Sequence, residues 1–140
     1  TRPFQVKTTV AMQYRRIAAR AARRRGLTDA GIEASPMARG FGIRDGNGIV
    51  FVSNTGHVTP SGFLPVPVGN VKHDSLVSLY RDHPTMRDLR EPDGFAGRCG
   101  RCEFNHWCGG SRARAYAWTG DLLESDPLCP YVPVADRVHV

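Results

Sequence analysis

The chain has 140 residues, of which 41% are hydrophobic, with fifteen Gly and ten Pro; this suits one small, turn-rich domain or a piece of a larger protein. No apolar run is long enough to span a bilayer and no signal-peptide pattern opens the chain, so a cytoplasmic setting with reduced thiols and no membrane partner is expected. The net charge is +6, but residues 1–25 carry eight of the nineteen Arg and Lys and no acid, while the remainder carries eleven bases against thirteen acids. Basicity confined to one segment argues against a nucleic-acid-binding face spread over the fold.

In chain order, Gln5-Val6-Lys7-Thr8-Thr9 reads as a short strand and turn. A helix is expected from about Val10 to Arg25, capped by Thr8 or Thr9 and closed by Gly26. Val10, Tyr14, Ile17, Ala18 and Ala21 define its apolar face, and Arg15, Arg16, Arg20, Arg23 and Arg24 its solvated basic one. The alternative reading of that basic face is contact with an anionic partner or substrate. Residues 26–47 read as a loosely structured connection rich in Gly, Asp and Ser-Pro. Ile49-Val50-Phe51-Val52 is the best strand, turned by Asn54-Thr55-Gly56 into His57-Val58-Thr59, after which Pro60, Pro65 and Pro67 mark an extended, irregular run. Asp74 or Ser75 caps a helix through Leu76, Val77, Leu79 and Tyr80, and His83-Pro84 starts another with Met86 and Leu89, these apolar positions being expected in the core. A last helix spans about Gly110 to Thr119 and is closed by Gly120.

All four cysteines fall late in the chain, as Cys99-x2-Cys102-x5-Cys108-x20-Cys129. Four thiols so arranged in a reducing compartment read as one four-ligand metal site before they read as disulfides. Cys99-Gly100-Arg101-Cys102 can form a knuckle in which Gly100 takes a conformation barred to side chains. Gly109 and Gly110 can bring backbone N–H groups up to sulfur. Four thiolates serve a [4Fe–4S] cluster or a structural zinc. One knuckle followed by x5 and a distant single cysteine differs from the paired knuckles of zinc ribbons and favours iron–sulfur, with zinc the alternative. His106 is an alternative ligand or a surface residue, and Trp107 is expected to shield the site from water.

With these residues in view, a resemblance emerges. Gly69-Asn70-Val71, Ser75-Leu76, Leu89-Arg90 and Cys99-x2-Cys102-x5-Cys108-Gly109-Gly110 together resemble the SPASM auxiliary-cluster domain of radical S-adenosylmethionine (SAM) enzymes. The strand–turn–strand around Gly56-His57-Val58-Thr59-Pro60 stands where that domain has its opening hairpin, and the match covers roughly residues 47–133. Asp126-Pro127-Leu128-Cys129 and Gly109-Gly110-Ser111-Arg112-Ala113-Arg114-Ala115-Tyr116 are similar to the one-auxiliary-cluster members, such as enzymes of modified-haem synthesis. Lys7-Thr8-Thr9 with the arginine-rich helix resembles the passage from the last barrel strand into this domain.

The chain departs from the family in two ways. It lacks the C-x3-C-x2-C motif of the SAM-binding cluster, and Ser61 stands about where two-cluster members place a cysteine. The resemblance therefore implies the C-terminal part of a radical SAM enzyme with one auxiliary [4Fe–4S] cluster, SAM entering only through an absent barrel domain. Its partners would be that barrel, a peptide or tetrapyrrole substrate, and an electron donor. Four cysteines close such a cluster, which implies electron transfer or a structural role, with no turnover by the chain alone. Gly109, Arg112, Arg114 and Asp121 are candidates to tune the cluster or touch substrate, the plain reading of the charged ones being solvent salt bridges.

The expected fold class is α+β: a small β-hairpin, then short helices and a cysteine-ligated cluster loop, preceded by the basic helix. Residues 1–46 would be the end of a barrel-like region and 47–140 the auxiliary-cluster domain. Two other readings remain open. One is a zinc-stabilised module using Arg15, Arg16 and Arg20 on nucleic acid; the other is a structural fragment stable only against its missing barrel.

Overall fold

The computed structural model describes residues 11–137. The expected strand over 5–9, the Thr8 or Thr9 cap of the helix after it, and Val10 lie outside the described residues. Helix α1 is Gln13–Arg24, with Arg23 and Arg24 in its last turn, where cations meet the negative end of the helix dipole. Gly26 follows in the left-handed region at φ 85°.

The buried face of α1 differs from the expected one. Met12, Arg16, Ala19 and Ala22 are buried, whereas Tyr14 is 43% and Ile17 54% exposed. Small alanines let the helix approach Phe104 and Cys108 closely, and Phe41, Cys102, Trp107 and Tyr131 complete that cluster. An arginine thus sits on the inner face and two larger apolar side chains on the outer one.

Residues 26–47 are more ordered than a loose connection. Thr28 caps α2 (Asp29–Glu33) by accepting the Gly31 N–H, and Arg23 pairs with Asp29 through two hydrogen bonds. Ile32 is fully buried, a 3-10 turn covers Pro36–Gly40, and Arg44 bridges to Asn47. The Arg44 side chain is 1% exposed and donates to the carbonyls of Leu89 and Gly42. A long-range anchor of this kind leaves no local pattern in the sequence.

Three short antiparallel strands follow: β1 (Phe51–Val52), β2 (His57–Thr59) and β3 (Gly69–Asn70), in the order β1-β2-β3. Phe51 pairs with Thr59 and Val58 with Gly69. Gly56 turns the hairpin at φ 91°, and a Cβ there would also strike the Asn70 side chain. β1 is shorter than the Ile49–Val52 expectation and both its residues are exposed. Val58, Val68 and Met86 form a second core, with Val50, Leu79 and Tyr80 against it. Ser61, at the position noted above, is buried; its hydroxyl donates to Asp45 and accepts the Phe63 and Leu64 N–H groups.

Ser75 caps α3 (Leu76–Asp82), and Pro84 starts α4 (Pro84–Asp88). Met86 and Leu89 are buried, but Val77 is 58% exposed and Leu76 is exposed too, so only part of that apolar set is core. A 3-10 turn at Pro92–Gly94 leads into α5 (Gly97–Gly100). Ser111 caps α6 (Arg112–Thr119), and Gly120 ends it at φ 78°. Another 3-10 turn covers Val134–Asp136. Among the described residues, no helix is long and apolar enough to cross a membrane.

Candidate metal centre

Short structures bring each cysteine to one place. Cys99 lies in α5; its N–H donates to Ser125 Oγ, and Cys102 closes the following turn through its N–H to the Cys99 carbonyl. Gly100 is required here for a reason other than the expected one. Its φ is not positive; instead, an added Cβ would overlap the carbonyl oxygen of Phe95. Gly100→Ala should therefore cost about 2 kcal/mol as an overpacked site, read as an earlier denaturant midpoint at unchanged slope. An unaltered midpoint would show that the knuckle tolerates a side chain.

Cys108 is buried, and its thiol donates to the Met12 carbonyl at 3.2 Å, tying the start of α1 to the cysteine segment. Cys129 arrives after Asp126, whose carbonyl accepts the Cys129 N–H at 3.1 Å. All four cysteines line one recess, together with Arg16, Arg98, Phe104, Gly109, Gly110, Asp126 and Tyr131. Its volume is ≈ 20 Å³, on the measure by which one water needs about 10–15 Å³. Among the described residues no group of three or more His, Cys, Asp and Glu is arranged to hold a single metal ion.

Burial raises the pKa values of the Cys102 and Cys108 thiols. It pushes Cys102 up to about 11, against a stabilising hydrogen bond from the Phe104 backbone. Cys108 is also pushed up by burial, the Gly110 backbone hydrogen bond opposing, with the thiols of Cys129 and Cys99 adding to the rise and Arg16 lowering it. Cys99 Sγ accepts the Asp126 N–H at 3.4 Å. Three sulfurs therefore already receive backbone donors, the provision that thiolates and iron–sulfur groups need. Gly109 and Gly110 both sit at φ 66°; a Cβ on Gly110 would come 2.9 Å from Cys99 Sγ, and one on Gly109 would press on Arg44.

Arg16 lines this recess, and further buried arginines lie behind its lining. Burial, together with nearby Arg112 and Arg15, lowers Arg44 to about 10. Burial also lowers Arg15. Arg112 is 0% exposed, lies 4.3 Å from the Phe95 ring centre and donates to the carbonyls of Leu122 and Glu124. Arg15 Nη1, Arg16 Nε and Arg112 Nε and Nη2 are buried with no partner. Buried guanidinium N–H groups without hydrogen-bond partners beside four thiols fit an anionic group held by thiolates. The residues present thus suit a cysteine-ligated cofactor.

Of the other residues singled out in the sequence, Arg114 makes a two-pronged pair with fully buried Asp126, at 3.0 and 2.6 Å. Arg112 and Arg114 are therefore internal struts. Asp121 is exposed beyond α6, where its carboxylate accepts the Leu123 N–H, and it is not part of the recess lining. His106 is exposed and 3.0 Å from Asp93, and Trp107 stacks on Phe41 and donates to Glu33; neither lines the recess. Arg44 and Tyr131 went unrecognised in the sequence, Arg16 was read only as part of a solvated or anion-contacting basic face, and Asp126 only as part of the run before Cys129. Only Asp126 carried a local signal, its place three residues before Cys129.

A recess lined by four thiols, three of which accept backbone N–H groups, has the donor set that a cysteine-ligated cofactor would need. Comparison with known proteins gives the chain's relatives. The chain is 40% identical to an AdoMet-dependent heme synthase of Methanosarcina barkeri over 93% of its own length and 37% of that protein. It is 34% identical to a pre-heme d1 synthase of Dinoroseobacter shibae, over 68% of this chain and 24% of that one. It is 32% identical to a PqqA peptide cyclase of Gluconobacter oxydans, over 74% and 29% respectively. The chain belongs to the radical SAM enzyme family, as the counterpart of the C-terminal part of its relatives. It spans little more than a third of the heme synthase it matches. No family model matches the chain, and no solved structure does.

Proposed function

We propose that this chain is a SPASM-like auxiliary domain that holds one [4Fe–4S] cluster through Cys99, Cys102, Cys108 and Cys129 and serves a radical SAM enzyme acting on a tetrapyrrole. The observation that carries the reading is the convergence of all four cysteines on one recess. When bound, such a group supplies one-electron storage at a potential set by its surroundings.

The chain's own residues prepare that site. Backbone N–H groups of Phe104, Gly110 and Asp126 stabilise negative sulfur. Phe104, Tyr131 and Pro133 wall the recess against water. Cys102 and Cys108, whose thiols burial keeps protonated, would have to lose those protons to hold such a group. Four cysteines leave no vacant ligand position on four irons, which favours electron transfer or support over direct substrate ligation. A tetrapyrrole is preferred to a peptide because two of the relatives above are named for haem synthesis and are more similar than the peptide cyclase. The barrel that binds SAM, the substrate and an electron donor would be partners beyond these residues.

Anaerobic reconstitution with iron and sulfide, followed by iron and zinc analysis and absorption spectroscopy, tests this. About four irons per chain, with visible absorption that bleaches on reduction, is the expected result. One zinc per chain and no colour would overturn it in favour of a structural zinc module.

A further inference from the structure

Resting on that reading, we propose that Arg16 is the internal counter-cation of the anionic group held by the four cysteines, and that its charge raises that group's readiness to accept an electron. Arg16 stands on the inner face of α1, four residues after Met12 and three before Ala19, both buried against the cysteine segment. It lines the recess and is only 5% exposed. Its guanidinium carbon lies 4.4 Å from the Tyr131 ring centre, and its Nε is buried with no hydrogen-bond partner.

A buried cation without an anion is costly, and the nearby carboxylates are committed elsewhere. Asp126 takes Arg114, Gln13 and the Ser111 N–H. Asp45 takes Ser61 and the Ala113 N–H, and Glu103 takes Tyr131 and the Val134 N–H. The other arginines with buried guanidinium groups differ from Arg16 in place: Arg44 and Arg112 donate to backbone carbonyls, and neither they nor Arg15 are part of the recess lining, although Arg15 Nη1 and Arg112 Nε and Nη2 also lack hydrogen-bond partners. Arg98 lines the recess but is partly exposed, so solvent weakens its effect. Arg16 is therefore a buried cation on the recess lining that packs on Tyr131 and whose Nε has no hydrogen-bond partner. A fixed positive charge in a poorly solvated wall stabilises the more negative, reduced form of a neighbouring redox group.

The test uses the full chain with Arg16→Met, Arg16→Gln and Arg16→Lys, reading iron per chain and the midpoint potential by EPR-monitored titration. Arg16→Met and Arg16→Gln are expected to hold wild-type iron and to disfavour reduction about tenfold, a fall of about 59 mV for one electron. Arg16→Lys should recover at least half of that. Wild-type iron with an unchanged potential in the two neutral variants would overturn the proposal and leave the cysteine reading standing. If the neutral variants lose iron, retention by Arg16→Lys supports the charge assignment, and loss in all three overturns it. A wild-type chain that takes up no iron removes the cysteine reading and this inference with it.

Discussion

Changing Cys108 to Ala is expected to abolish stable iron loading, from about four irons per chain to less than one after anaerobic gel filtration. Cys108 is the most buried of the four thiols, and Phe104, Met12 and Ala19 hold it in place. The loss should exceed any loss of folding. Removing one sulfur atom from a small core costs about 1 kcal/mol, so the variant's secondary structure should match that of the iron-free wild type. Circular dichroism beside the iron assay separates the two effects. An Ala variant that keeps all its iron would show that Cys108 is a core residue rather than a ligand. Cys129→Ala should behave in the same way with less effect on the fold, because Cys129 is only partly buried.

Asp126→Ala should produce the largest loss of stability of any single change outside the cysteines. The carboxylate is 0% exposed and accepts from Arg114, Gln13, the Ser111 N–H and the Leu128 N–H. These contacts join α1, the cap of α6 and the turn before Cys129. Removing one partner of a buried charge pair costs about 3 kcal/mol or more, equivalent to a fall in Tm of about 10 °C for a domain of this size. Hydrogen bonds from Arg114 and the Ser111 and Leu128 backbone, with the Arg114 charge, hold the Asp126 pKa below the ordinary carboxylate value despite the opposing effect of burial.

A group whose pKa is lowered in the folded state stabilises the fold above its unfolded pKa, and that contribution disappears as pH falls through the folded value. Stability supplied by Asp126 should therefore be complete at neutral pH and fall off below about pH 4. Asp126→Ala should flatten that part of the acid melting curve. An unchanged curve would assign the acid sensitivity to Glu103, Glu124 and Asp136, whose pKa values are also lowered.

The elements most legible in the sequence are those that announce themselves within a few residues. Ser75 and Ser111 cap α3 and α6, Gly120 ends α6, and Gly56 turns the hairpin, each through chemistry that needs only near neighbours. The helix before Gly26 was legible as an element but not as a surface. Its apolar residues fit more than one face at helical spacing, and an arginine ordinarily reads as solvated. The aromatic and thiol wall opposite, drawn from residues 104–131, selects the face bearing Met12, Arg16, Ala19 and Ala22. The segment over 26–47 was illegible because its order comes from Arg44 reaching Leu89 and from Asp45 reaching Ser61 and Ala113.

The sequence by itself determined the candidate donor set: four cysteines in that spacing, with paired glycines after the third. Tertiary structure alone decided how the set is surrounded. It turned Arg16 inward, sealed Arg44 and Arg112 beneath the Gly109–Gly110 turn, tied Arg114 to Asp126, and left Asp121 and His106 outside. The reason is physical: ligand identity is a property of single side chains, whereas burial and the field at a site are sums over residues that only folding brings together.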